Sequence, residues 1–224
     1  MWLGKLLQQS NNELVKLYLK ESGRIKAEYD DQYDWSFLFR TFPKWYRSQT
    51  SDKNPLVDRR PWLTVKAIQF LDDIITPEMS VLEYGCGGST LFFLDRGCRV
   101  TSVEHNAGWL NAVKNSLIDD ESERWSYFLI EKCDTRANHF SDEYSLAPLK
   151  KNIPYDLILI DGKCRDTCLD AVRKTGYKGW LIYDNSDRLI QSDELRAISN
   201  GVFKTFVGPT FYSLPFTETT IMKL

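Results

Sequence analysis

From residue 61 to the C-terminus the chain alternates short apolar runs with longer segments whose apolar side chains recur at helical spacing. The runs at 80–84, 99–104, 127–130, 155–161 and 179–184 are of strand length and rich in Val, Ile, Leu and Tyr. Between them, 89–96, 106–118 and 164–174 carry helical patterns. Upstream, 61–75 opens with a proline suited to a first helical turn and sets Ala67, Phe70, Leu71, Ile74 and Ile75 on one face, which predicts another helix. Strands that alternate with helices and are apolar on both faces belong to a parallel sheet covered on both sides. At the end of the chain, 202–207 and 217–223 follow one another without a helix, which predicts an antiparallel hairpin at the sheet edge. The expected fold class is therefore α/β: a doubly wound, seven-stranded, mostly parallel sheet with an antiparallel last strand.

Residues 1–60 follow a different pattern. Leu14, Val15, Leu17, Tyr18 and Leu19 have helical spacing, and 29–46 is dense in Trp, Phe and Tyr without strand alternation. A polar stretch, 48–54, ends at Pro55 and reads as a loop. The chain thus divides into an N-terminal helical cap or lid, 1–60, and a main domain, 61–224. Two readings of the cap stand side by side: a layer that packs its aromatics on the core, and a lid over a substrate pocket.

Composition narrows the classes. With 224 residues, 42% hydrophobic and 27% charged, the chain can bury one substantial core. A formal net charge of -2 provides no basic surplus to gather phosphates, so nucleic acid is not the expected partner. The five cysteines are odd in number and scattered, which speaks for a reducing compartment rather than a disulfide framework. Cys164 and Cys168 lie four apart, but His105 and His139 are distant in sequence and a four-ligand zinc set does not assemble. The first ten residues place a lysine inside a very short apolar stretch, unlike a signal peptide, and no apolar run is long enough to span a bilayer. A cytoplasmic protein without membrane contact is expected, with the oligomeric state open and a homodimer among the options.

The chemistry concentrates at strand ends. The first strand runs into Glu83-Tyr-Gly-Cys-Gly-Gly-Ser-Thr90, after which a helix begins. Glycines there let the backbone turn tightly and approach a ligand, and a helix N-terminus presents free N–H groups. The second strand ends at Glu104, seventeen residues after Gly87, where a carboxylate can accept both hydroxyls of a ribose. Together these describe a nucleoside site. A dinucleotide fingerprint requires a third glycine where this chain has Thr90, and Glu83 would repel a pyrophosphate while suiting an amino cation. His105 follows directly, either as a structural hydrogen-bonding residue or as part of the cofactor wall.

In these residues the chain resembles the class I S-adenosylmethionine-dependent methyltransferases, whose first motif is an acidic residue, any residue, then Gly-x-Gly; Glu83, Gly85 and Gly87 match it. The resemblance implies that the loop Gly85, Cys86, Gly87, Ser89, Thr90 holds the methionine part of S-adenosylmethionine, Glu104 the ribose and Asp134 the adenine amino group. The fourth and fifth strands end at Asp161 and at Asp184-Asn185, which converge in a parallel sheet as oxygen donors suited to Mg²⁺ or another hard divalent cation. These positions are similar to the metal triad of the catechol and caffeoyl-coenzyme A O-methyltransferase group. There the metal binds the acceptor hydroxyl and a lysine removes its proton. That lysine would fall at Cys164, with Lys163 and Arg165 on either side of it, so the base is open; Lys163 and Asp161 are the catalytic candidates. A second branch, with Ile-Asp-Gly and Asp-Asn-Ser-Asp-Arg turns, is similar too and does not require a metal. The competing reading of Asp161 and Asp184 is that they cap strands through backbone hydrogen bonds. Arg165 and Arg188 suit an acceptor bearing carboxylate or phosphate, or pair with Asp166 and Asp187. The resemblance implies methylation of a hydroxyl on a small molecule or sugar. Two rivals stand: a nicotinamide- or nucleotide-sugar-dependent enzyme, disfavoured by the missing glycine and the lack of a Tyr-x-x-x-Lys pair, and a non-catalytic cofactor-binding subunit.

Overall fold

The structure is a computed structural model that describes residues 12–29, 33–131, 142–151, 153–188 and 192–224. Seven strands form one sheet: β1 (Ser80–Tyr84), β2 (Arg99–Glu104), β3 (Trp125–Leu129), β4 (Leu157–Ile160), β5 (Trp180–Asp184), β6 (Phe203–Gly208) and β7 (Thr217–Lys223). They lie in the order β3-β2-β1-β4-β5-β7-β6, the first five parallel and both β7 pairings antiparallel. The chain reverses direction across the sheet at β1 and β4, so the C-terminal ends of these strands frame the crevice where ligands bind in such sheets.

Side chains alternate strictly between faces. On β4, Leu157 and Leu159 join one core cluster with Val81, Leu91 and Ile182, while Ile158 and Ile160 join the other with Leu82, Val103 and Tyr183. Burial of both faces explains why the strands read as continuous apolar runs.

The helices, in chain order, are α1 (Glu13–Glu28), α2 (Trp35–Thr50), α3 (Val65–Ile74), α4 (Gly88–Asp95), α5 (Ala107–Lys114), α6 (Glu121–Arg124), α7 (Asp142–Leu146), α8 (Arg165–Lys174) and α9 (Ser192–Ile198). Asn12 caps α1, accepting from the N–H groups of Leu14 and Val15, and Asp34 caps α2 through Phe37 N–H. The helix expected over 61–75 starts four residues later. Thr64 is its N-cap and bridges to Thr210, which leaves Pro61 and Trp62 in the preceding turn.

Helices α1 and α2 form the cap. Their aromatics make a third cluster, in which Tyr18, Leu38 and Trp45 pack against Val207, Phe211 and Phe216 from the β6–β7 region. The Tyr18 ring lies 4.8 Å from Trp45 and 5.1 Å from Phe216, and its hydroxyl donates to Leu38 O at 2.7 Å. The cap is thus welded to the antiparallel edge of the sheet. Among the described residues no helix is long and apolar enough to cross a membrane.

Candidate active site

The turn after β1 is held from below. Glu83 is fully buried, and its carboxylate accepts from Ser89 Oγ at 2.6 Å, Ser102 Oγ at 2.6 Å and Thr90 Oγ1. Thr90 Oγ1 in turn accepts from Gly87 N–H at 2.9 Å. Removal from water outweighs these three hydroxyls and pushes the Glu83 carboxyl up to about 7. This geometry places two of the expected residues behind the turn. Glu83 and Thr90 are not among the residues that line the cavity; they brace the glycine turn from inside, because a buried carboxylate needs donors, which Ser89 and Thr90 of the turn and Ser102 of β2 supply.

Above that brace lies a cavity of about 380 Å³. It is lined by Gly85, Cys86, Gly87, Gly88 and Ser89 from the turn, by Glu104, His105 and Trp109, and by Gly162 and Lys163. Gly85 has φ +95°, and a side chain at Gly162 would meet Tyr144 Oη at 2.4 Å and Gly85 N at 2.8 Å, so the two turns touch backbone to backbone. Glu104 sits at the end of β2 and accepts from the N–H groups of Cys86 at 3.1 Å and of His105 and Asn106 at 2.8 Å. His105 Nδ1 lies 2.9 Å from the same carboxylate. Asp134 falls outside the described residues.

Two wall residues had no sequence signal. Trp109 donates its indole N–H to Cys86 O at 2.5 Å and lays its ring along Gly87, where an added Cβ would meet it at 3.5 Å. Pro55 belongs to a turn that Arg59 anchors through Asp95, Ser116 O and Glu121.

A second cavity, about 670 Å³, opens alongside. Arg24 and Tyr29 reach it from the cap end, Ser213 to Glu218 from the β6–β7 connection, and Asp184, Asn185, Asp187 and Arg188 from the end of β5. Trp62, Asp161 and Arg165 line both cavities. Trp62 is 44% exposed, and its position between the two was not legible in a segment that reads as the start of a helix. Lys163 faces only the smaller cavity, whereas Asp161 stands at the junction.

The strand ends expected to hold a metal do converge, but around a guanidinium. Arg165 Nη2 lies 3.0 Å from both Asp161 O and Asp161 Oδ1, and Nη1 lies 3.0 Å from Asn185 Oδ1 and 3.5 Å from Asp184 Oδ2. Nη1 also donates to Asp184 O, and Nε donates to Gly162 O at 3.2 Å. Asp184 is buried, and its other oxygen accepts from Thr219 Oγ1 at 2.8 Å. Burial pushes both carboxyls up, Asp161 further raised by its neighbour Asp184, and Asp184 opposed by Arg165. A guanidinium cannot deprotonate to become a ligand, and a divalent ion among these oxygens would sit against it. The donor set does not fit a metal, and among the described residues no other group of three or more His, Cys, Asp or Glu side chains does either. The expected Asp161, Asp184 and Asn185 triad is an arginine cradle. Arg165 accordingly spends its N–H groups on the protein rather than on an acceptor. Nor does it pair with Asp166, which accepts from Tyr183 Oη at 2.7 Å.

No family model matches the chain, and no curated protein does. Among solved structures, a methyltransferase-like protein from Silicibacter pomeroyi superposes with a TM-score of 0.53 at 20% identity, covering 73% of this chain and 90% of that one. The chain has the class I methyltransferase fold. More distant in shape are an rRNA methylase from Streptococcus thermophilus, at TM-score 0.49, 15% identity, 78% of this chain and 98% of that chain, and the C-terminal domain of a precorrin-6Y C5,15-methyltransferase from Rhodobacter capsulatus, at 0.47, 14%, 68% and 83%. The smaller cavity lies at the C-terminal ends of β1 and β2, in the crevice where ligands bind in open sheets of this kind.

Proposed function

We propose that the chain transfers the methyl group of S-adenosylmethionine to a hydroxyl of a small molecule or sugar. The observation that carries this is the pair of adjoining cavities that share Trp62, Asp161 and Arg165. One is walled by glycine backbone and a strand-end carboxylate, as a nucleoside donor requires; the other is large enough for a separate acceptor.

The residues of the smaller cavity suit the donor. The turn 85–89 lets backbone approach its methionine part, Glu104 faces the ribose hydroxyls, and Trp109 supplies an apolar wall. When bound, the donor supplies a sulfonium whose methyl carbon is already activated, so the protein's task is mainly alignment and exclusion of water. The donor would supply the methyl group and would keep the electron pair of the broken bond on its sulfur, while the acceptor hydroxyl would lose its proton. Asp161, at the junction, is placed to take the proton that the hydroxyl gives up. Arg188, with Asp187 on the same wall, is left to meet an anionic group of the acceptor.

The test has two arms. S-adenosylhomocysteine should raise the melting temperature, by roughly 2.7 kcal/mol of added stability at a hundredfold excess over Kd, while NAD does not. Stabilisation by NAD alone would refute the reading. Methyl transfer to a panel of phenols, sugars and small acids then separates an enzyme from a cofactor-binding subunit, and Asp161→Asn should lower turnover of any acceptor found.

A further inference from the structure

We infer that Arg165 is a built-in cation that takes the place of a divalent metal at the junction of the two cavities. This role deepens the donor–acceptor reading and follows from the geometry of the arginine itself. Three strand-end groups, Asp161, Asp184 and Asn185, turn side-chain oxygens toward one point, and the guanidinium occupies it. The main-chain oxygens of Asp161, Gly162 and Asp184 complete its surroundings, so all three of its nitrogens are engaged from β4, the following turn and β5.

The distances exclude sharing. Oxygens that surround guanidinium nitrogens at 3.0 Å are spaced for N–H donors, whereas Mg²⁺ holds oxygens at about 2.0–2.1 Å in a near-octahedral shell. An ion drawn into that shell would have to expel the arginine from the side-chain and main-chain oxygens that already hold it. Asn185, at φ +52°, turns its amide oxygen toward Arg165 Nη1, and the first residue of α8 is Arg165 itself. The cation is thus delivered by the helix that follows β4, immediately after the Ile-Asp-Gly turn. Its planar fork ties the ends of two adjacent strands together, which a hydrated metal would do only while bound. At the junction it supplies a permanent positive charge beside the acceptor cavity, independent of metal supply.

The experiment is a Mn²⁺ titration followed by electron paramagnetic resonance, which requires neither a known acceptor nor the donor. Wild-type protein should leave Mn²⁺ in its free aqueous form. Arg165→Ala should create one Mn²⁺ site, at least roughly tenfold tighter than any wild-type binding, and Asp184→Asn on that background should abolish it. Arg165→Lys, which keeps the charge, should still exclude the ion. One Mn²⁺ bound by the wild type and lost in Asp184→Asn would overturn the inference, as would a folded Arg165→Ala that binds none. If Arg165→Ala proves unfolded by circular dichroism, Arg165→Gln, which keeps most of the length without the charge, takes its place; the wild-type titration decides independently of either. Failure of S-adenosylhomocysteine to bind would sink the methyltransferase reading and leave these outcomes unchanged.

Discussion

At the scale of single residues, Glu83 shows how a motif position acquires a role from its surroundings. Its carboxyl is raised to about 7 because it lies beneath the sheet, and the three hydroxyls around it offset that burial only in part. A carboxyl whose folded value lies above the unfolded 4.5 binds its proton more tightly when folded, so stability is greatest below about pH 4.5 and is lost as pH rises through 7. The loss amounts to about 3 kcal/mol at most. Urea unfolding between pH 5 and 8 should show this decline, and Glu83→Gln should reduce it, the raised Asp161 and Asp184 carboxyls supplying the remainder; identical slopes for both proteins would contradict the assignment. Trp62 offers a second test. With 44% of its surface exposed between the cavities, it presents a ring that both ligands can pack against. Trp62→Ala should raise the acceptor KM roughly tenfold with a smaller change in kcat.

At the scale of elements, the turn between α2 and α3 closes one side of the smaller cavity. Gly88 begins α4 directly beneath it, and a Cβ there would lie 2.1 Å from Arg60 O and 2.5 Å from Pro55 O. Backbone carbonyls cannot swing aside as a side-chain tip can. Gly88→Ala should therefore cost about 1–3 kcal/mol, read as a lower urea midpoint, and should weaken S-adenosylhomocysteine binding by displacing Pro55. Much of this level was legible in the sequence. The strand ends at Tyr84, Glu104 and Asp184 and the helix over Arg165–Lys174 fall where the apolar pattern places them, because both-face burial leaves an unambiguous run. The start of α3 was not, since Pro61 and Trp62 are equally compatible with a first helical turn and only the bridge of Thr64 to Thr210 excludes them. Strand β3 begins two residues before its apolar run, with Trp125 paired to Val100 of β2 and its indole N–H donated to Ser102 Oγ at 2.8 Å. The short helices α6, α7 and α9 carry too few turns to show a period.

For the whole molecule, the cap and the sheet form one structure. Trp45 is fully buried in a cluster that draws on α1, α2 and the β6–β7 connection. Trp45→Ala should cost about 3–5 kcal/mol, and the loss should appear in one cooperative transition seen alike by far-ultraviolet dichroism and tryptophan fluorescence. Two separated transitions would show that residues 12–50 fold independently of the sheet. The same packing brings Arg24 and Tyr29 to the larger cavity, so the cap is both a packed layer and a wall of that cavity.

The sequence by itself determined the sheet and the meeting of the glycine turn with the end of β2, because strand burial, glycine turns and a strand-end carboxylate are local features with local signatures. It also brought Asp161, Asp184 and Asn185 together, since adjacent parallel strands align their ends. What lies between those residues only the tertiary structure decided. The pattern of oxygens is the same whether the positive charge they surround is a metal or a side chain. Arg165, four residues past Asp161 on the next helix, reaches that point by the fold's geometry and not by any spacing visible in the chain. For the same reason the parts around the glycine-rich turn were not legible: Glu83 braces it from the buried side, and Trp62 and Trp109, distant from it in sequence, line the cavity beside it.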